Sequence, residues 1–292
     1  MEWENYIVGI VDILGQSQKL KELGSLLDQD SLEKDNCKSI VKKLTDETYG
    51  EVGHFRELFT KTFDLMKKNI HEHPKMKTLL PTEREMLNEI ADDICKLRFF
   101  SDLVVCYIPC GINELVTRTR LATMLATYTG VLILEFRAGT FFRGGIEMGA
   151  GTELNDGDIY GPVLNEAHYL ENDIADYPRI IVGKKLSDFI QSDTQVPNDG
   201  EFLRSMFASV NNLSKGMVCR DDDGHIIIDY LGESAAKLHR FEGSEACSFV
   251  KKSIAKIESE LERYNKEGNH KLEKRYEKLL TYCQSRMEFW DN

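Results

Sequence analysis

What the sequence lacks narrows it first. In 292 residues there is no unbroken run of the roughly 18 apolar residues read as a membrane-crossing helix. The opening MEWENYIV has neither the basic region nor the apolar core of a signal peptide. Both point to a cytoplasmic chain with no membrane partner. Positive charge is short, with 37 Lys and Arg against 49 Asp and Glu and a net charge of −12. Nucleic-acid binders rely on Lys and Arg to neutralise phosphates, so nucleic acid is not an expected partner. A nucleotide substrate remains open, because a bound divalent cation can supply local positive charge. The seven cysteines are scattered. Cys106 and Cys110 form a C-x-x-x-C with no second pair, which argues against zinc and for free thiols in a reducing compartment. HEHP brings His71 and His73 together with no other His or Cys nearby, and reads as an exposed helix end. There is no Walker A pattern. GGIEMGAGTEL gives G-x-x-x-G-x-G and runs into the turn NDGD, not into a dinucleotide-binding helix. Gly144 and Gly145 within it suit close strand packing. No internal repeat is visible.

What is present reads as alternating strands and helices. Tyr6 to Leu14 is β-branched and apolar and closes at Gly15. From about Lys19 to Lys96 the chain is polar and helix-rich. KSIVKKL and FRELFTKTFDLMKKNI carry apolar residues at steps of three and four, with a break marked by His71, Pro74 and Pro81. Thr82 and Glu85 fit a capping box. RFFSDLVVCYIP reads as strand, turn and strand. INELVTRTRLATMLATYTGVLILEF reads as a helix with a possible break at Gly130. FFRGGIEMGAG reads as a strand, LNEAHYLEND as a helix, YPRIIVGKKL as strand then helix start, and GHIIIDYLG as a last strand. The order predicts an α+β, ferredoxin-like sandwich, not a doubly wound sheet. The tail carries two apolar stripes. The first runs Val250, Ile254, Ile257, Leu261 and Tyr264; the second runs Leu272, Tyr276, Leu279, Cys283 and Met287. Gly268 separates them, which predicts a helical hairpin packed on the core or on a partner.

Two acids stand out. Asp12 lies inside the apolar run IVGIVDILG, and Asp102 lies in the turn of RFFSDLVV. An ionised carboxylate among apolar neighbours is costly unless it is paired or binds a metal. Two acids brought together from separate strands repel, and a divalent cation removes the conflict. Each alone also reads as an ordinary turn or cap residue, and spacing alone does not bring them together.

VDILG, FSD, RGGIEMG and DIYGPVLNEAHYLE, in that order, resemble the catalytic domain of class III nucleotidyl cyclases. The nearest likeness is to the bacterial pyrimidine cyclases of the Pycsar antiphage system, which carry a similar RGGI strand, a GP-x-x-NEA-x-x-LE helix, a YPRI strand and a helical tail. The resemblance covers most of residues 6 to 190 and the tail motif KRYEKLLTY. It implies a ferredoxin-like core that forms a head-to-tail homodimer with active sites across the interface. The cyclase domain would span 1–240, with a helical insertion at about 27–80, and a C-terminal helical extension would span 241–292.

The same resemblance implies the site. Asp12 and Asp102, with the backbone carbonyl of Ile13, match the ligands of two Mg²⁺ or Mn²⁺ ions. Arg98 and Asp158 fall at the base-reading positions. Asn165 matches the residue that positions ribose and phosphate. Four residues on, where relatives carry a charge-stabilising Arg, this chain has Tyr169. Arg143 could take that role or brace the sheet. Lys184 and Lys185 could reach phosphates or open a solvated helix. Arg offers donors suited to carbonyl oxygens, which leans the substrate toward UTP over CTP, while a carboxylate at Asp158 accepts from either base. The implied activity is conversion of UTP to 3′,5′-cyclic UMP and pyrophosphate, read by a separate effector protein. Cyclic CMP synthesis, a catalytically silent nucleotide-binding module and a purely structural dimer are the alternatives.

Overall fold

A computed structural model of the chain describes residues 2–27, 35–72, 74–92, 94–111, 113–155, 157–192, 201–238 and 245–291. His73 lies outside the described residues; His71 faces Asp92, with Nε2 3.8 Å from the carboxylate.

The first strand, β1 (Glu4–Ile13), is central. Three helices follow: α1 (Gln16–Leu27), α2 (Asp35–His71) and α3 (Pro81–Asp92). The hairpin β2 (Lys96–Phe100) and β3 (Leu103–Pro109) comes next. Helix α4 (Glu114–Ala138) then leads to β4 (Phe142–Glu153). These strands lie in the order β2-β3-β1-β4. β1 is antiparallel to both of its neighbours, so each helical crossover joins two strands with a third between them, the split βαβ arrangement of a ferredoxin-like fold. The sheet continues through β6 (Ile180–Val182), β8 (Ile226–Ile228) and β7 (Val218–Arg220), and the two-residue β5 (Ile159–Tyr160) hangs on β4.

Alternation along β1 sorts its side chains. Ile7, Val11 and Ile13 enter the main core with Leu121, Met124, Leu125 and Tyr128 of α4 and Phe55, Phe59 and Phe63 of α2. Tyr6, Val8 and Ile10 enter a smaller cluster with Val105 and Tyr107 of β3 and with Val163 and Ala167 of α5 (Pro162–Tyr169). Both crossovers thus cover one face of the sheet. The other face is covered near β1 by the short α5 and the single π-helical turn Leu170–Ile174 that follows it.

After the short α8 (Glu233–Leu238), the tail helices α9 (Glu245–Glu267) and α10 (His270–Ser285) bury Phe249, Val250, Ile257, Leu279, Tyr282 and Cys283 in the main core, so the hairpin packs on its own chain. Gly268 adopts φ 68 between them, a left-handed conformation that glycine accepts without a Cβ clash.

Several details differ from the sequence pattern. The apolar repeats of KSIVKKL and FRELFTKTFDLMKKNI belong to one continuous helix, α2. Gly130 does not interrupt α4. The cap of α3 sits two residues earlier than the Thr82–Glu85 pattern suggests: Pro81 opens the helix, and the buried Glu83 accepts the Leu80 N–H at 3.0 Å. Proline at the first helical position loses no hydrogen bond, which fixes the start there. Helix α4 is long and apolar enough to cross a membrane by length and composition, although it contains no unbroken apolar run of that length. Inside the protein, 72% of its most apolar stretch is buried. It is surrounded by the sheet and neighbouring helices, which accounts for its lack of a polar face. α7 (Glu201–Gly216) and the three-residue β7 carry only weak signals in the sequence.

Candidate active site

Asp12 follows Ile10 on the open face of β1, two residues on. It pairs in register with Leu103 on one side and Arg143 on the other. Asp102 immediately precedes Leu103, in the two-residue turn between β2 and β3. Strand register therefore brings both acids to the same end of the sheet. The Ile13 side chain is buried on the opposite face, so only its backbone is left to join them.

The carboxylate of Asp12 is pushed up to about 6, first by burial, then by the charges of Asp102 and Glu171; Arg143 works in the opposite direction. Glu171 lies in the π-helical turn and is 2% exposed. Its pKa is raised by burial and offset by Arg143 and His168. Arg143 sits between the acids, with Nε 2.7 Å from Glu171 and Nη2 3.6 Å from Asp12. The closer pair attracts through charge but is poorly aligned for a hydrogen bond. The cluster is thus rich in oxygen donors and short of positive charge, which suits a hard divalent cation. No group of three His, Cys, Asp or Glu gathers into a closed metal cage among the described residues. Mg²⁺ is commonly held by one or two carboxylates, with water and phosphate completing its shell.

Beside the acids lies a cavity of about 380 Å³ lined by Ile10, Leu103, Val105, Arg98, Asp158, Asn165 and His168, among others. Its size falls in the usual range for a small-molecule site. Arg98 Nε donates to Asp158 Oδ1 at 2.8 Å, and Arg98 Nη1 donates to the Leu97 carbonyl at 3.0 Å. Two features hold this corner. The buried Tyr107 hydroxyl donates to the Gly157 carbonyl. Gly157, at φ 80, leaves room for the Arg98 guanidinium where a side chain would collide with it. Asn165 reaches the cavity because α5 lies close on β4. A Cβ on Gly145 would stand 2.3 Å from the Ala167 carbonyl oxygen, so Gly145 permits this close helix contact. Gly144 is likewise closed in by the Ile10 carbonyl oxygen, 2.6 Å from its would-be Cβ.

Register and packing thus gather Asp12, Asp102, Arg143, Arg98, Asp158 and Asn165 on one face. Two other candidates stand apart. Lys184 opens α6 (Lys184–Gln191), is 85% exposed and pairs with Asp188 at 2.7 Å. Tyr169 is 50% exposed and does not line the cavity. Its neighbour His168 does, three residues after Asn165 and on the same side of α5. His168 and Glu171 were missed in the sequence. In NEAHYLE, His168 stands three residues after Asn165 and Glu171 three further on, a spacing that points inward only once Asn165 fixes which side of the helix faces the cavity.

Larger hollows lie elsewhere. One of about 840 Å³ is bounded by Met66, Ile70, Leu87, Phe202 and Met206. Another, of about 470 Å³, lies under the tail, where Arg179 is already paired with Asp176, Asp221 and Asp223. Neither is lined by Ile10 or Leu103, the strand neighbours that set the smaller cavity beside Asp12 and Asp102.

No family model matches the chain, and no curated protein matches it. Among solved structures it is similar to the adenylyl cyclase CyaB from P. aeruginosa, at 16% identity over 78% of this chain and 93% of that one, with a TM-score of 0.35. A likeness at that level leaves function to be read from the chain's own residues.

Proposed function

We propose that this chain is a pyrimidine nucleotide cyclase of the class III kind, converting UTP to 3′,5′-cyclic UMP and pyrophosphate. The observation that carries the reading is the meeting, on one open sheet face, of Asp12 and Asp102 with a cavity lined by Arg98, Asp158 and Asn165. Arg98 donates to a uracil carbonyl oxygen and Asp158 accepts the ring N–H. Asn165 orients the ribose, and His168, between the cavity and Glu171, donates to the α-phosphate. Arg143 holds Glu171 and Asp12 in place. Two Mg²⁺ or Mn²⁺ ions, bound by Asp12, Asp102 and the Ile13 carbonyl, would supply positive charge to the triphosphate and make the 3′-hydroxyl more acidic.

In the reaction the 3′-oxygen bonds to the α-phosphorus as the bond to the bridging α–β oxygen breaks. The electron pair leaves with pyrophosphate, and the hydroxyl proton passes to water. No residue forms a covalent intermediate, so the chain acts by positioning and electrostatics. A homodimer would complete the site. The exposed aromatics Phe100, Tyr160, Trp3 and Tyr169 support that reading. Phe100 lines the cavity, and Trp3 and Tyr160 lie in ring contact at 6.4 Å. Trp3 and Tyr160, exposed in contact with each other, suit a partner surface. The product would act on a separate cyclic-nucleotide-responsive effector, as an antiphage signal.

The test is turnover of labelled UTP, CTP, ATP and GTP with Mn²⁺. Cyclic UMP ahead of the others is the expected result, and cyclic CMP in the lead would shift the substrate to CTP. The solvent-facing Tyr169, where relatives are expected to carry a cation, favours a second reading: a silent nucleotide-binding module. That reading predicts nucleotide binding without turnover, unaffected by Asp12→Ala or Asp102→Ala. Absence of any nucleotide or metal binding defeats both.

A further inference from the structure

The segments that carry the acid cluster end at one edge of the sheet. β1 finishes at Ile13, β4 begins at Phe142, and the β2–β3 turn holds Ser101 and Asp102. Helix α2 of the insertion crosses this edge. Its Phe55 ring stacks on Phe142 at 4.5 Å, with 13° between the ring planes. The next residue, Arg56, turns to the hairpin. Arg56 Nε donates to the Ser101 carbonyl oxygen at 3.1 Å, and Nη2 donates to the same atom. The guanidinium also lies over the Phe99 ring, 5.4 Å from its centre.

That carbonyl belongs to the peptide unit joining Ser101 to Asp102. Ser101 is the only non-glycine residue with positive φ among the described residues, at 54. Such a conformation is unfavourable for a side chain with a Cβ, and surrounding contacts must hold it. The tight hairpin, closed by the Phe100–Leu103 pair, itself calls for positive φ in its turn. A further contact comes from a residue 45 positions away in sequence and ties the turn to the seating of α2.

We propose that Arg56 is a positioning residue for Asp102: by clamping the Ser101 carbonyl, the helical insertion sets the spacing of the acid pair and hence its hold on a divalent cation. This rests on the reading of Asp12 and Asp102 as cation ligands. It assigns the insertion a role in that site: a shift of α2 releases the turn and loosens the acids.

The probe is Mn²⁺ alone, without nucleotide, with free ion counted by electron paramagnetic resonance, alongside the thermal midpoint of each metal-free protein. Wild type is compared with Arg56→Ala, Arg56→Lys, Asp12→Ala and the double variant Arg56→Ala/Ser101→Gly. Arg56→Ala should weaken Mn²⁺ binding about 10-fold or more, the scale seen for groups that orient metal ligands, while leaving the midpoint nearly unchanged. Arg56→Lys, which keeps one donor, should fall between. Glycine at 101 accepts positive φ without a clamp, so the double variant should recover much of the loss. Arg56→Ala binding Mn²⁺ like wild type, or a double variant as weak as Arg56→Ala, overturns the proposal while the cation reading stands. Wild type binding Mn²⁺ no better than Asp12→Ala overturns both.

Discussion

On one face of the sheet, Ile7, Val11 and Ile13 of β1 meet two long helices and a dense set of aromatic rings. On the other, Tyr6, Val8 and Ile10 meet one short helix, and the next residue in that series is Asp12. The same strand thus serves two purposes by alternation alone. Because both crossover helices lie on the first face, packing there is complete, and polar groups beside the second face can stand at the rim of a cavity. The difference explains how a carboxylate can sit inside an apolar strand: it lies at the strand's last turn outward, where only part of its surroundings is protein.

The sharpest way to break this comparison is to remove the acid from the open face. Asp12→Ala or Asp102→Ala should lower turnover of UTP by about 10³-fold or more, with folding intact by circular dichroism. On the closed face the expected effect is on stability. Phe59 is 1% exposed and packs edge-on against Phe55 and Tyr128. Phe59→Ala should cost about 3–5 kcal/mol in denaturant unfolding.

His168 sharpens the comparison within the open face. His168→Gln should reduce kcat roughly 30-fold with KM little changed, as expected when a donor to developing charge is lost. A raised KM at constant kcat would instead make it a binding residue.

The acid itself supplies a pH test in metal-free protein. The pKa of Asp12 in the fold is about 6, against an ordinary 3.8. The fold therefore favours the protonated carboxyl. Its contribution to stability is fully present below about pH 4 and is lost as pH rises through about 6. Asp12→Asn, which cannot ionise, should be more stable than wild type by about 2 kcal/mol at pH 7.5, and the difference should vanish near pH 4. Thermal or urea unfolding at the two pH values checks the sign. The smallest effect is expected at Tyr169. Its hydroxyl lies away from the cavity, so Tyr169→Phe should change kcat by less than about 2-fold.

Much of the open face was legible in the sequence because strands have a period of two and turns have their own chemistry. The run IVGIVDIL marks a strand, and placing Asp12 two residues after Ile10 puts it on the same face. RFFSDLVV marks a hairpin with Asp102 in its turn. What could not be read were contacts between distant segments. Neither the Arg143–Glu171 pair nor the Arg56 clamp on Ser101 leaves a periodic trace, since each joins a side chain to a position fixed only by tertiary packing. His168 and Tyr169 are adjacent in sequence, and which of them faces inward depends on the rotation of α5. That rotation is set by the close approach at Gly145. Helix boundaries slipped for a local reason: Pro81 and Glu83 outcompete Thr82 and Glu85 for the start of α3.

The central claim is that the two carboxylates of the open face share divalent cations beside the nucleotide cavity. Anomalous scattering from Mn²⁺ in crystals grown with a non-reactive UTP analogue tests it most directly. Two peaks within about 4 Å of each other, each touching Asp12 or Asp102 and facing the analogue's phosphates, are the predicted result. Ordered analogue with no manganese at either carboxylate would contradict the account.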